Sequence, residues 1–238
     1  VPEDYHLQSL EKFQHRPNRF SETPKFFEAQ ALAHYVNRFG TASTVVFNDW
    51  QTASITAVFD YIAESKSGEV GEAAWCDHRA VFTARKTPSW AAWSEMAGKL
   101  VSQMTFARFL EERAHEIVKP DAAEVIEVCM SFDAIKRVNF KSSVRLQNGF
   151  RQFTYEEAAE GRGAVSVPEK IEVMVPIFEG QEPVPFMLRL RYRMDDGQLL
   201  LGFEIDNKDE IVKAAFERCR DTFQTALKAD VPIYAGAL

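Results

Sequence analysis

Cys76, Asp77 and His78 are consecutive, and this is where a thiol and an imidazole come nearest in the chain. Such a pair becomes a nucleophile and its base only in hydrogen-bond contact. Trp75–Arg85 reads as a strand with Cys76, His78, Ala80, Phe82 and Ala84 on one face. Along one strand Cys76 and His78 stand about 7 Å apart, too far for direct contact. Their face is small and apolar, which suits a packed cysteine and a hydrogen-bonded core histidine. Asp77 and Arg79 share the opposite face, where they could hold a phosphate or carboxylate, or simply pair as ions. Glu112-x-x-His115 resembles half of a carboxylate–histidine metal motif. A di-metal site needs a second copy, and the sequence offers none. A metal-dependent hydrolase using Asp77, His78 and Glu112 is therefore the last of three readings, and no metal site or cofactor is expected.

A different chemistry resides in Arg189, Arg191 and Arg193, which alternate along a strand and so share one face. Lys141 and Arg145 extend that face if their strand joins the same sheet. Cations on a sheet can track the phosphate backbone of single-stranded DNA. Glu204 opposite Arg189, with Glu156 or Glu172, can instead neutralise them. Tyr192 points the other way, so no aromatic ring interleaves with these arginines for base stacking. Gly161-Arg162-Gly163 lacks the lysine and following helix of a phosphate-binding loop.

The elements that must position these residues follow from periodicity. Residues 1–24 read as an extended, proline-interrupted arm suited to docking on a neighbouring surface. Thr23-Pro24 reads as the cap and first position of a helix carrying Phe27, Leu32, Tyr35, Val36 and Phe39, ended by Gly40. Thr44–Phe47 and Ala53–Tyr61 read as strands. Thr87-Pro88 caps a short helix, Ser102 a second that buries Phe106, Phe109, Leu110 and Ile117, and Asp121 with Glu124 a third.

From Val138 the period is two. Asn148-Gly149 predicts a tight hairpin that pairs Val144 with Phe153 and Lys141 with Glu156. Asp196-Gly197 predicts another that pairs Met194 with Leu199, Tyr192 with Leu201, Leu190 with Phe203 and Leu188 with Ile205. Pro176 places the Ile171–Phe178 strand at an edge or bulge. Asn207 and Glu210 cap a last helix with Ile211, Ala215, Phe216, Cys219, Phe223 and Leu227 as its buried stripe, before an apolar extended tail at Val231–Tyr234. The sum is an α+β fold with antiparallel β-hairpins, about seven or eight strands and about five helices. It divides into the arm (1–24), a helix/strand/helix half (25–136) and a sheet half with the last helix (137–238), with one continuous domain for the two halves as the alternative.

Composition narrows the function. A formal net charge of -7 with pI about 5.4 argues against wholesale binding of nucleic acid or anionic membrane. Cys76, Cys129 and Cys219 are far apart and form no CxxC, which points to a reducing compartment, the cytoplasm. No apolar run approaches the roughly 20 residues of a membrane span, and no signal peptide is read at the start.

Several segments together carry a resemblance: Val1–Leu7, Tyr35–Arg38, Asp77–Ala80, Ser102–Glu112, Ser143–Gly149 and Leu190–Arg193. As a set they resemble the YfdQ-like proteins, a family encoded by tailed phages and prophages. The resemblance implies phage or prophage origin and expression in the bacterial cytoplasm, often beside genes for DNA replication or recombination. It supplies no catalytic residues. The leading expectation is an accessory protein that acts without catalysis, by homo-oligomeric self-assembly, with rings or shells among its forms, and by binding a phage or host protein. The alternative is a single-stranded DNA-binding accessory of recombination or replication, using the arginine face.

Overall fold

Alternating apolar residues build the sheets, and short capped helices cover them. The computed structural model describes residues 10–62, 71–131, 139–145, 150–157, 161–195, 198–228 and 230–238. In chain order the strands are β1 (Lys25–Phe26), β2 (Val45–Asp49), β3 (Ser54–Val58), β4 (Arg79–Thr83), β5 (Leu100–Ser102), β6 (Ile117–Lys119), β7 (Asn139–Arg145), β8 (Phe150–Glu157), β9 (Gly161–Pro168), β10 (Lys170–Val175), β11 (Val184–Asp195), β12 (Gln198–Ile205) and β13 (Ile233–Ala235). The helices are α1 (Ala29–Phe39), α2 (Pro88–Met96), α3 (Gln103–Glu112), α4 (Ala122–Ser131) and α5 (Lys208–Ala226). The fold is α+β, with mostly antiparallel sheets. Among the described residues no helix is long and apolar enough to cross a membrane.

The chain forms two units, residues 1–84 with 216–238, and residues 85–215. A boundary near Lys136 lies outside the described residues.

The first unit holds a five-stranded sheet of order β1-β4-β3-β2-β13. Its centre is antiparallel: β3 pairs with β2 and with β4, and Ile55, Ala57, Ala80 and Phe82 bury one face. Both outer strands are parallel additions, β1 on β4 and β13 on β2. The Val231–Tyr234 tail therefore completes this chain's own sheet. Segment 22–26 corrects an expectation, since Thr23-Pro24 does not open a helix. Pro24 keeps the chain extended, and the Glu22 and Pro24 carbonyls accept from Arg79 and Val81 N–H at 3.1 and 3.0 Å. An otherwise open strand edge is thereby paired, which outweighs the local helix signal. Helix α1 starts after Glu28 and buries Ala29, Leu32, Ala33 and Val36, while Phe27 stays exposed.

The second unit holds a sheet of order β5-β12-β11-β10-β6 and a separate sheet β7-β8-β9. The β11–β12 ladder pairs Leu188, Leu190, Tyr192 and Met194 with Ile205, Phe203, Leu201 and Leu199, the register demanded by the Asp196-Gly197 hairpin, whose turn residues lie outside the described ones. Ile171, Val173, Phe186, Leu188, Leu201 and Phe203 bury the inner face. Against it pack Trp93 and Phe106, with ring centroids 5.4 and 6.3 Å from Phe203, and Trp90, 5.3 Å from Phe186. Thr87 caps α2 by accepting from Trp90 N–H, Ser102 caps α3 by accepting from Thr105 N–H, and Asp121 accepts from Ala123 N–H at the start of α4. Helix α3 ends at Glu112, so Ile117 lies on β6 rather than on the helix.

Strand β10 is not an edge. It lies between β11 and the short β6, with an irregularity at Glu172/Val173, and it stops just before Pro176. The β7–β8 register is also different: Val144 faces Gln152, and Phe153 faces Ser143. That is one residue out of step with a two-residue turn at Asn148-Gly149, which lies in the undescribed 146–149. Lys141 falls at the irregularity between Phe140 and Ser142, so it does not pair with Glu156.

One glycine is fixed by close approach. A Cβ on Gly202 would stand 2.0 Å from the Lys99 carbonyl oxygen, because the chain entering β5 is drawn tightly against β12, where Gly98 N–H donates to the Phe203 carbonyl at 2.7 Å. Gly202→Ala should therefore lower unfolding stability by about 2 kcal/mol or more in urea titrations, through overpacking against backbone that cannot yield. A loss below about 0.5 kcal/mol would show that β5 is not held as described.

Candidate functional site

The residues singled out at 75–79 are shaped by one carboxylate. Asp60 follows β3, and its two oxygens accept from the backbone N–H of Asp77 at 3.0 Å and of His78 at 3.1 Å. Its own carbonyl accepts from Cys76 N–H, and Phe59 N–H donates to the His78 carbonyl. Bent around this clamp, Cys76 adopts a φ of 53°, a left-handed conformation rare outside glycine. The strand consequently begins at Arg79, not Trp75. Cys76 and His78 share no strand face, and neither do Asp77 and Arg79. Asp77 pairs with Arg19 at 2.7 Å, whereas Arg79 donates its Nε–H to the Cys76 carbonyl.

His78 projects into a cluster of rings. It stacks on Phe59 at 4.3 Å, meets Phe20 at 4.4 Å, and lies 6.1 and 6.4 Å from Tyr35 and Phe39. Its Nε2 is 3.1 Å from the Tyr35 hydroxyl. Burial holds the imidazole below its ordinary pKa, partly offset by the charge of Asp60. Burial, with the charge of Glu22, raises the Tyr35 hydroxyl. The ring is thus a neutral, packed group whose hydrogen bond goes to a phenol, not to a thiol or carboxylate.

Glu112 belongs to the second unit, exposed beside Arg113 at 3.3 Å, and His115 is 77 % exposed. The acid that matters there is Glu116, which is buried and accepts the Trp93 indole N–H at 2.6 Å. No local signal marks it; only the need of a core indole for a partner does. Burial pushes the Cys129 thiol up to about 12, so it is inert at neutral pH. Among the described residues no group of three or more His, Cys, Asp and Glu could hold a metal ion.

Arg189, Arg191 and Arg193 do share the outer face of β11. Arg189 meets Asp206 at 3.1 Å, which Lys170 also approaches at 3.6 Å, and Arg191 meets Glu204 at 2.5 Å. That bond raises the Arg191 pKa and lowers that of Glu204. Lys141 and Arg145 are on β7, in the other sheet, so they do not extend this face.

A third surface lies on the first unit. Phe20, Phe39 and Trp75 are 54 %, 43 % and 74 % exposed. Guanidinium groups lie over two of these rings, Arg19 over Trp75 at 4.8 Å and Arg38 over Phe39 at 5.5 Å. The signal for it was present in the first forty residues as repeated basic–aromatic pairs: Lys12-Phe13, Arg19-Phe20, Lys25-Phe26 and Arg38-Phe39.

A family model described as "Uncharacterized conserved protein (DUF2303)" matches residues 1–238. The chain belongs to this family. Searches of curated proteins and of solved structures gave no match. Membership in DUF2303 names no reaction, so function rests on the surfaces themselves.

Two outcomes follow from the clamp. Asp60→Ala leaves two N–H groups without their charged acceptor and should cost about 2–3 kcal/mol in chemical denaturation. Because the folded state keeps His78 below its unfolded pKa near 6.5, its contribution is full above that pH. It is lost as pH falls through the unfolded value toward the folded one. The melting temperature of the wild type should therefore drop more steeply below about pH 6.5 than that of His78→Phe, and parallel curves would contradict this.

Proposed function

We propose that this DUF2303 protein acts without catalysis, as an accessory of phage or prophage origin that assembles with copies of itself and binds a partner. The phage origin rests on the sequence resemblance to YfdQ-like proteins. Absence of catalysis is supported by the occupation of each chemical candidate: Asp77 pairs with Arg19, His78 is packed among rings, and Glu112 stands beside Arg113.

The observation that carries assembly is the outer face of the β5-β12-β11-β10-β6 sheet. Residues paired across strands share a face, so Lys170, Arg189 and Glu204 form one row, and Arg191, Gly202 and Leu100 another. Basic residues on β11 thus run beside acidic Glu204 and Asp206, and the exposed Met174 and Leu100 lie on the same face. A two-fold contact would set the basic row of one copy against the acidic row of the other, with the apolar residues between them. Arm and tail, by contrast, are engaged at least in part with their own chain.

A second reading, single-stranded DNA on this face, is favoured by its excess of cations: Lys119, Lys170, Arg189, Arg191 and Arg193 against Glu172, Glu204 and Asp206. The acid partners of Arg189 and Arg191 weigh against it. Light scattering on the eluting protein should give a mass above one chain at micromolar concentration. Arg191→Glu and Glu204→Arg should each reduce that mass, and the double exchange should restore it. A wild type that elutes as a clean monomer would overturn the assembly reading.

A further inference from the structure

The aromatic–arginine surface of the first unit is not used by the assembly face. Residues 14–20 line an open surface depression, with His15, Arg16, Asn18, Arg19 and Phe20 among its walls. Lys12 lies over the Phe13 ring at 5.0 Å, beside this segment, and Phe13 is 75 % exposed. Phe20 leads from this depression to His78, and Arg19 to Trp75. Cations and exposed ring faces therefore alternate: Lys12 with Phe13, Arg16 and Arg19 with Phe20 and Trp75, Arg38 with Phe39.

The acids nearby are already engaged. Glu11 accepts from Asn18 N–H, Asp77 pairs with Arg19, and Asp60 holds two backbone N–H groups. Glu22 is the exposed acid of the segment. Among the described residues no acid pairs with Lys12 or Arg16. An acidic chain of net charge -7 thus presents a local basic surface on 12–20.

We infer that this surface is a binding site for a single-stranded polynucleotide, with bases stacked on Phe20 and Trp75 and phosphates held by Lys12 and Arg16. Single strands offer both parts of the match, unpaired base faces for the rings and a backbone for the cations, and every base has a face to stack. Duplex DNA hides its bases and offers only the charges. A protein partner would also use exposed aromatic and arginine groups. Lys12 and Arg16, which pair with no acid among the described residues, favour the polyanion.

The test uses the whole chain and labelled oligothymidylate, oligouridylate and a duplex of equal length, read by fluorescence anisotropy. Both single strands should bind more tightly than the duplex, with affinity falling as salt rises. Intrinsic tryptophan fluorescence should be quenched on binding, and Trp75→Phe should remove most of that quenching. Phe20→Ala should weaken binding about tenfold, and Lys12→Glu with Arg16→Glu should weaken it further and flatten the salt dependence. These positions are exposed, so circular dichroism should show the fold intact. Preference for oligouridylate would identify the strand as RNA, preference for oligothymidylate as DNA, and either supports the site. The inference is overturned if the wild type binds neither strand. It is equally overturned if Arg191→Glu weakens binding while the arm substitutions do not, or if the arm substitutions change only the mass in solution.

Discussion

Asp60 is the group on which the described surface of the first unit depends. A carboxylate accepting two backbone N–H groups makes charge-assisted bonds, roughly twice as strong as neutral ones. Here they hold a backbone that would otherwise continue as strand. The bend at Cys76 follows, and from the bend follow three placements: Trp75 outward under Arg19, Asp77 toward Arg19, and His78 inward on Phe59. A straight strand would have put His78 and Asp77 on opposite faces of a sheet. The clamp turns the same residues into a mount for the arm.

The arm follows from this mount. Its carbonyls at Glu22 and Pro24 complete the hydrogen bonding of β4, and its side chains at Arg19 and Phe20 rest on the residues that the clamp presents. What results is an exposed mixture of rings and guanidinium groups, unusual in composition for a solvated surface. The second unit presents something different, a sheet face whose arginines largely find acids on the neighbouring strand. The first arrangement suits a flexible polyanion with stackable bases. The second suits a surface of the same mixed charge.

Much of the fold was legible because strong local rules agreed with the tertiary outcome. Alternation and a short turn put Leu190 opposite Phe203, and capping residues at Thr87 and Ser102 opened α2 and α3 where expected. Failures came where a distant group overruled a local preference. Thr23-Pro24 reads as a helix start, yet β4 needed an edge partner. Trp75–His78 alternates like a strand, yet Asp60, seventeen residues before Asp77, bends it. The Asn148-Gly149 register failed by one residue, and one residue suffices to exchange the faces of a strand. For the site, Asp77 and His78 stand out in the sequence as an acid and a base, and the structure puts the one in an ion pair with Arg19 and the other on the Phe59 ring. The basic–aromatic pairs are not a legible signal by themselves, because rings and cations adjacent in sequence say nothing of exposure until the partners of the arm are known.

The surface we infer to meet a single-stranded polynucleotide is on the first unit, not on the arginine face of the second. Hydrogen–deuterium exchange of the whole chain with and without oligothymidylate tests its location most directly. Amides at 10–25 and 74–79 should exchange more slowly when the strand is present, while those of β10, β11 and β12 keep their rates. Protection confined to β10–β12, or no change at 10–25 and 74–79, would contradict it.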